Sequence, residues 1–280
     1  MHDQTFMTLM RLLPKSALSS AVGAATRARM PPRVHRLLMR AFARQYGVNL
    51  DEAEGGFDDY RTFAEFFTRK LKPGARTFDA TPGVIASPVD GRVSQVGAIE
   101  QGQCLQAKGI SYPVTQLLAD ARQALAFEAG SFLTIYLSPK DYHRIHAPVA
   151  GQITGYSYVP GEFWPVNPAS VRTKQALFAV NERLVTWMDT ELGRLAVVAV
   201  GATCVSRIHA AYDEIVTHRG EPAKTHSYPR SIPVEKGGEL GMFEMGSTVI
   251  LLFERGRISW DARLAADLPL RLGERIGVKA

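Results

Sequence analysis

The sequence predicts an α+β protein with a mostly β body and amphipathic helices at its N-terminus. Apolar residues recur at helical spacing within residues 1–50. From Gly83 onward, short β-branched runs alternate with glycine, proline and aspartate turns. We therefore expect a basic helical arm over residues 1–60 and one large domain over residues 61–280.

The composition fits one sizeable core in a reducing compartment. Of the 280 residues, 46% are hydrophobic and 21% are charged, which is typical of a globular protein. The two cysteines, Cys104 and Cys204, provide neither a disulfide framework nor a thiolate metal site. No apolar run approaches about 18 residues, so we expect no transmembrane helix.

The positive charge is concentrated in the N-terminal arm. Residues 1–50 hold eight lysines and arginines against Asp3 alone, a net charge of +7, and the remainder carries −1. Pro32 suits the first turn of a helix, in which apolar and basic residues follow on different faces. The apolar positions are Val34, Leu37, Leu38, Ala41 and Phe42, and the basic ones are Arg33, Arg36, Arg40 and Arg44. This pattern favours an anionic membrane surface over a helix packed on the body, and nucleic acid is disfavoured because no aromatic platform accompanies the arginines.

The elements after the arm are short. Thr62 and Glu65 form a capping-box pattern for a small helix within a linker. An Asp-Gly turn at Asp90 separates two short strands. The Pro-Val-x-Gly motif that contains this turn recurs at residues 148–151. This pattern of short strands and turns indicates a barrel-like sandwich of short strands, as in lipoyl and biotinyl domains. Further strands are predicted at 132–137, at 197–205 and, with both faces buried, at 249–253.

The tripeptide Gly246-Ser247-Thr248 stands at the start of that last strand. Alone it indicates only a tight turn, because such tripeptides occur in many loops. With a base beside it, the Ser247 hydroxyl could attack the Gly246 carbonyl and convert an amide to an ester.

Two histidines, His143 and His146, follow the strand at 132–137. Their spacing leaves three interpretations open. They could bind zinc with Asp90 and His209, or His146 could act as a general base with Asp90 fixing its tautomer. The third interpretation is a structural role in a turn.

Taken together, these motifs resemble the phosphatidylserine decarboxylase family of pyruvoyl-dependent enzymes. The resemblance runs in family order from about residue 60 to Phe253, and two departures stand out: Met245 replaces the usual leucine, and Trp164 is unexpected. The matching blocks are Phe66–Leu71, Ser87–Gly91, Tyr142–Pro148, Val159–Gly161, Val166–Pro168, Asn181–Arg183, Val200–Thr203 and Gly246–Thr248.

The resemblance implies a self-cleaving precursor. Ser247 is the expected nucleophile, His146 its base, and Asp90 the group that orients His146 and balances its charge. Attack on the Gly246 carbonyl, elimination and hydrolysis would leave a covalent pyruvoyl group at position 247 and release ammonia. The products would be a β chain of residues 1–246 and an α chain of residues 247–280 that remain associated as a heterodimer, and two such pairs could form a homodimer.

The resemblance also implies the reaction and its place. The pyruvoyl group, with no metal, would form a Schiff base with phosphatidylserine and take up electrons as carbon dioxide leaves, giving phosphatidylethanolamine. His143 is the expected proton donor or carboxylate contact. Phe163, Trp164 and Asn167 are candidates for lipid contact. We expect a peripheral protein on the cytoplasmic side of the cell membrane.

Three alternatives remain at the level of sequence. A zinc hydrolase using His143, His146 and Asp90 would keep an intact chain. A lipoyl- or biotinyl-like carrier would need an exposed lysine at a hairpin tip, for which Lys236 is the candidate. The third is a self-cleaved enzyme that prefers another aminophospholipid.

Overall fold

The computed structural model describes residues 3–204, 207–246 and 248–280 of the chain. Ser247 therefore lies outside the described residues, as does Val205 at the end of one predicted strand. The described residues form helices followed by a body of mostly strands, which confirms the predicted α+β class.

Helices dominate the first 50 residues, and only short ones follow. α3 begins at Pro32, as predicted, and ends where Gly47 adopts the left-handed conformation at φ 73°. Thr62 caps α4 by accepting a hydrogen bond from the Glu65 amide, as its sequence pattern predicts. The helices are α1 (Asp3–Leu12), α2 (Lys15–Arg27), α3 (Pro32–Tyr46), α4 (Phe63–Phe67), α5 (Val114–Leu118), α6 (Ala121–Ala124), a 3₁₀ turn (Leu125–Phe127), α7 (Pro168–Thr173) and α8 (Leu177–Val180).

The strands of the body are mostly short. They are β1 (Val84–Ala86), β2 (Gly91–Ala98), β3 (Gln103–Ala107), β4 (Ile110–Pro113), β5 (Ser131–Tyr136), β6 (Arg144–His146), β7 (Gly151–Val159), β8 (Arg183–Thr190), β9 (Gly193–Val200), β10 (Ile208–Ala210), β11 (Lys224–Val234), β12 (Glu239–Phe243), β13 (Thr248–Phe253), β14 (Ile258–Trp260), β15 (Pro269–Leu270) and β16 (Arg275–Lys279).

An eight-stranded sheet organises the described part of the body. Its strand order is β11-β7-β8-β9-β13-β5-β2-β15, and every pairing is antiparallel. Two three-stranded sheets, β1-β16-β14 and β10-β12-β6, and the hairpin β3-β4 surround it. The large sheet is open, with β11 and β15 at its edges, so the described strands do not form a closed barrel and the lipoyl-like detail of the prediction is not confirmed.

β13 is the centre of the core. It pairs with β5 on one side and β9 on the other, and all six of its residues are buried. This confirms the prediction of a strand with both faces covered. The apolar run lacks alternation because neither face of the strand meets water.

The arm buries a narrower set of residues than its apolar pattern suggests. α3 turns His35, Met39 and Ala43 inward, whereas Leu37 is 68% exposed and Leu12 of α1 is 79% exposed. Within the described residues, no helix combines the length and apolar character that a membrane crossing requires.

Candidate active site

Three segments meet at one end of the eight-stranded sheet. Because its strands are antiparallel, the start of β13 at Thr248 lies beside the last residues of β5 and β9, Tyr136 and Val200. The start of β2 lies beside Tyr136 as well, through Arg92. The segment before Thr248, the histidine loop after β5 and the Asp90 turn before β2 are therefore brought together.

His143 lies directly against Gly246. A Cβ atom built on Gly246 would stand 1.9 Å from Cε1 and 2.0 Å from Nδ1 of His143, so only glycine fits at this position. The Phe243 amide also donates a hydrogen bond of 3.0 Å to the His143 carbonyl. The ring of His143 is fully buried and stacks on Phe67 with 4.1 Å between centroids.

The environment of His143 keeps its imidazole neutral. Burial and, second to it, the positive charge of Arg69 lower the pKa of His143 to about 3. Neither ring nitrogen has a hydrogen-bond partner within the part of the chain that the structure describes. The carbonyls of Ser138 and Pro139 lie near enough to oppose the shift but not in hydrogen-bonding geometry. A neutral buried imidazole thus adjoins the Gly246–Ser247 bond.

His146 is held in one tautomer by two neighbours. Its Nδ1 lies 2.7 Å from the carbonyl oxygen of Gly237, which can only accept, so Nδ1 carries the proton. Nε2 then accepts from the Tyr142 hydroxyl at 3.1 Å. Burial and, to a smaller extent, the charge of Arg144 lower the pKa of His146. The Gly237 carbonyl, then the charge of Glu239 and last that of Asp90 oppose this shift. The basic atom of this histidine is therefore Nε2.

Asp90 does not orient His146 through a hydrogen bond, which corrects the expected pairing. Its Oδ1 accepts from Arg76 Nε at 2.9 Å and from the Leu272 amide at 2.7 Å, and its Oδ2 accepts from Arg76 Nη2 at 2.5 Å. Asp90 acts on His146 through its charge, and the His146 amide donates to Pro88 of the same turn at 2.9 Å. The orienting acceptor is the Gly237 carbonyl.

Sequence reasoning gave no role to Phe67 and Arg69, which position the histidine loop. Arg69 is 4% exposed and donates to the carbonyls of Lys140 and Asp141 at 2.9 and 3.3 Å. Asp141 closes the loop by accepting from the amide and hydroxyl of Ser138, each at 2.7 Å. The signal for these residues was their block in the family resemblance, which carried no indication of what they touch.

The residues on the two sides of position 247 differ in exposure, since Gly246 is half-buried and Thr248 is buried. Thr248 is fully buried, and its hydroxyl has no partner among the residues described. A cavity of about 280 Å³ opens nearby, lined in part by Asp90, Arg76, Arg69 and Tyr142. The segment that joins β12 to β13 therefore reaches one of the groups that the sequence singled out, the imidazole of His143, at Gly246.

The candidate lipid contacts lie in the body. Phe163 and Trp164 are each 4% exposed, and the ammonium groups of Lys15 and Lys174 lie 4.2 and 4.7 Å from the centre of the Trp164 ring. Asn167 caps α7 by accepting from the Ser170 amide at 2.9 Å. Their role in lipid binding stays a prediction.

The zinc alternative finds no support. Across residues 3–204, 207–246 and 248–280, no three histidine, cysteine or acidic side chains are grouped so that they could hold a metal ion. His209, the proposed fourth ligand, is paired with Glu244 instead, with 2.8 Å between Nε2 and Oε1.

Comparisons with known proteins identify the family of the chain. A family model described as phosphatidylserine decarboxylase matches residues 63–278, and a second, described as PSD, matches residues 5–47. The chain is 64% identical over 278 residues to a phosphatidylserine decarboxylase proenzyme of Myxococcus xanthus, covering 99% of each chain. It is 55% identical over 280 residues to one from Anaeromyxobacter sp. (99% of each chain) and 44% identical over 283 residues to one from Azotobacter vinelandii (99% of each). The chain belongs to the phosphatidylserine decarboxylase family.

Proposed function

We propose that this protein is a phosphatidylserine decarboxylase proenzyme that cleaves itself between Gly246 and Ser247. The mature enzyme then converts phosphatidylserine to phosphatidylethanolamine and carbon dioxide. The observation that carries the proposal is the packing of the His143 ring on Gly246, at the start of the central strand of a chain that belongs to this family. The names of relatives matched over 99% of the chain support the same activity.

Self-cleavage begins when the Ser247 hydroxyl adds to the carbonyl carbon of Gly246. His146 accepts the hydroxyl proton at Nε2, the amide C–N bond breaks, and an ester replaces it. Elimination releases the Gly246 carboxylate and leaves a dehydroalanine, which water converts to a pyruvoyl group and ammonia. The fixed tautomer and lowered pKa of His146 support this role, because they leave a neutral Nε2 to take the proton. The charge of Asp90 stabilises the imidazolium that forms.

The surroundings of position 247 fit a pyruvoyl group. Unpartnered polar atoms of His143 and Thr248 flank the position among the described residues, and both side chains are fully buried. When formed, the group supplies an electrophilic carbonyl that takes up the substrate amine and withdraws electrons from the bond to the carboxylate. His143 lies neutral beside Gly246, and it is proposed either to contact the carboxylate that leaves through its ring N–H or to relay a proton to the carbon that loses carbon dioxide, accepting one proton at one ring nitrogen as it gives one from the other.

The two products of cleavage stay together through β pairing. The 34 residues from position 247 to the C-terminus contain β13, which lies between β5 and β9 of the large chain. They also contain β16, which pairs with β1. The backbone break therefore leaves these ladders of hydrogen bonds intact, and an α/β heterodimer results.

The arm is the proposed contact with the membrane. Leu12 and Leu37 are 79% and 68% exposed, and they accompany the excess of positive charge. An amphipathic basic helix of this kind lies in the headgroup region of anionic bilayers, where phosphatidylserine resides. We therefore place the protein peripherally on the cytoplasmic face of the membrane, near its substrate.

The intact mass of the denatured protein tests the proposal. We expect two chains that separate at Gly246–Ser247, with the smaller one blocked to N-terminal sequencing and reactive toward a carbonyl reagent. Ser247→Ala should give one chain of 280 residues without decarboxylase activity on phosphatidylserine vesicles. A wild-type chain that remains intact and active would contradict the proposal, and stoichiometric zinc in it would favour a hydrolase.

A further inference from the structure

One helix of the arm, α2, reaches the loops around the candidate site. Ser16 and Ser20 lie 3.4 and 3.2 Å from His218 Nε2 through their hydroxyl oxygens. Ser19 is fully buried, and its hydroxyl accepts from the Cys204 amide at 3.0 Å. The contact with Cys204 places α2 over the loop that follows β9, one of the strands beside β13, and the contacts with His218 place it beside the segment between β10 and β11.

The last turn of α2 contacts the segment that precedes the cleavage site. Arg27 forms an ion pair with Glu244, two residues before Gly246. The Glu244 side chain is 9% exposed, and its second oxygen lies 2.8 Å from His209 Nε2. The Glu244 amide donates to the Arg207 carbonyl at 3.0 Å. Both the backbone and the side chain of Glu244 are therefore tied to their surroundings.

The charges around Glu244 are mostly positive. Burial lowers the pKa of Arg207, and the positive charges of Arg27 and Arg219 lower it further. The negative charge of Glu244 raises it. Without the carboxylate, Arg27 and Arg207 would repel each other, and α2 would lose an attraction to the body. Without Arg27, a mostly buried carboxylate would lose an ion-pair partner.

We infer that Arg27 and Glu244 are positioning residues for self-cleavage. Through Arg27, the arm then contributes to the rate of cleavage between Gly246 and Ser247. Their ion pair holds Glu244, Met245 and Gly246 in the place where Gly246 meets the His143 ring. Attack on a carbonyl needs close and aligned atoms, and small displacements lower its rate strongly. The inference rests on the proposed self-cleavage. It gives the N-terminal arm a second role, in self-cleavage, that its proposed role in membrane contact does not require.

Time courses of the full chain made by cell-free synthesis without lipid test the inference. The variants are Arg27→Gln, Glu244→Gln and the double variant, with Arg29→Gln as a matched loss of an exposed arginine in the arm. We expect each of the first two to slow conversion of precursor by roughly tenfold, and the double variant to be no slower than the slower single one, because coupled residues are non-additive. Arg29→Gln should stay within about twofold of the wild type, since isolated surface charges contribute little.

Two further measurements separate positioning from folding. In the Ser247→Ala precursor, Arg27→Gln should leave the thermal midpoint within about 3 °C, because one partly exposed ion pair contributes little to stability. Arg27→Lys, which keeps the charge, should recover most of the cleavage rate. Wild-type cleavage with equal rates for Arg27→Gln and Arg29→Gln, or fully additive effects of Arg27→Gln and Glu244→Gln, would overturn the inference alone. A wild-type chain that never cleaves would overturn the proposed function and this inference with it.

Discussion

The N-terminal arm and the central strand of the body treat their apolar residues in opposite ways. In β13 all six residues are buried between two neighbouring strands. In the arm, Leu12 and Leu37 are 79% and 68% exposed although their spacing is amphipathic. The strand therefore buries its apolar surface within the chain, whereas the arm leaves apolar surface exposed, as the proposed membrane contact requires.

Charged and polar side chains also differ in burial between the body and the arm. The body buries the imidazole of His143 and the guanidinium of Arg69 away from water, while the arm carries most of its cations on exposed positions. The proposed chemistry therefore falls in the body and the proposed membrane contact in the arm, and the Arg27–Glu244 ion pair joins the two regions. Substitutions in the two regions should have separable effects.

Substitutions of the two histidines of the body should give the largest effects, on self-cleavage and decarboxylation but not on vesicle binding. His146→Ala should abolish self-cleavage, whereas His143→Asn should still cleave but lose about 10²-fold or more in decarboxylation, the usual contribution of a general acid or base. Neither change should alter binding to anionic vesicles. Intact mass and a decarboxylation assay on the same preparations measure both steps. The reverse pattern would exchange the roles of the two histidines, and loss of vesicle binding would break the division between regions.

The second largest effect concerns stability, because replacing a leucine of β13 by alanine should cost more unfolding free energy than replacing a leucine of the arm. Leu251→Ala leaves a cavity in β13 and should reduce the free energy of unfolding by about 2–5 kcal/mol. Leu37→Ala should change it by less than about 0.5 kcal/mol, as is usual for an exposed position. Urea unfolding in the uncleaved Ser247→Ala background gives both values. Equal losses would show that the arm is packed as firmly as the core.

Acid should destabilise the body through His143. Its pKa is lowered to about 3 in the folded protein, so below about pH 6.5 the unfolded chain binds a proton that the folded one excludes. Stability is therefore complete above pH 6.5 and falls by up to about 1.4 kcal/mol per pH unit as the pH decreases toward 3. Between pH 6.5 and 5, the Ser247→Ala precursor should lose about 2 kcal/mol more than the same chain with His143→Asn. Parallel pH profiles for the two would contradict the assignment of a neutral buried imidazole.

The smallest effect concerns vesicle binding by the arm. Leu37→Ala should weaken partition into phosphatidylserine-containing vesicles by about tenfold, because the removed methyl and methylene groups no longer enter the bilayer. Leu125→Ala removes a leucine of the body that is similarly exposed, at 64%, and should leave partition unchanged. Sedimentation with vesicles measures both. Equal effects would mean that the membrane contact is not confined to the arm.

The sequence predicted those features that depend on neighbours along the chain. Pro32 begins α3 and Thr62 caps α4 as expected, since both act within one helical turn. The apolar run at 249–253 is a strand covered on both faces. Local patterns also selected His143 and Gly246, which the fold places in contact.

Other features depend on contacts between distant segments and were beyond prediction from one sequence. The expected partner of His146 was Asp90, but the carboxylate is held by Arg76 and the imidazole by the Gly237 carbonyl. A backbone carbonyl has no signature in the residue letters, and several cations could have paired with Asp90. The barrel-like sandwich was also inferred from short strands and turns, which do not specify whether the edges of a sheet meet.

By itself, the sequence determined the class of fold, the position of the central strand and the charge of the arm, and it selected His143, His146, Asp90 and Gly246 as candidates for the site. These follow from the side-chain pattern and local backbone preferences, which each segment carries with it. Only the tertiary structure decided which histidine adjoins Gly246, which group orients the other, and that Arg27 reaches Glu244. Such contacts arise when antiparallel pairing brings distant segments to one end of a sheet, and that arrangement is a property of the whole packed chain.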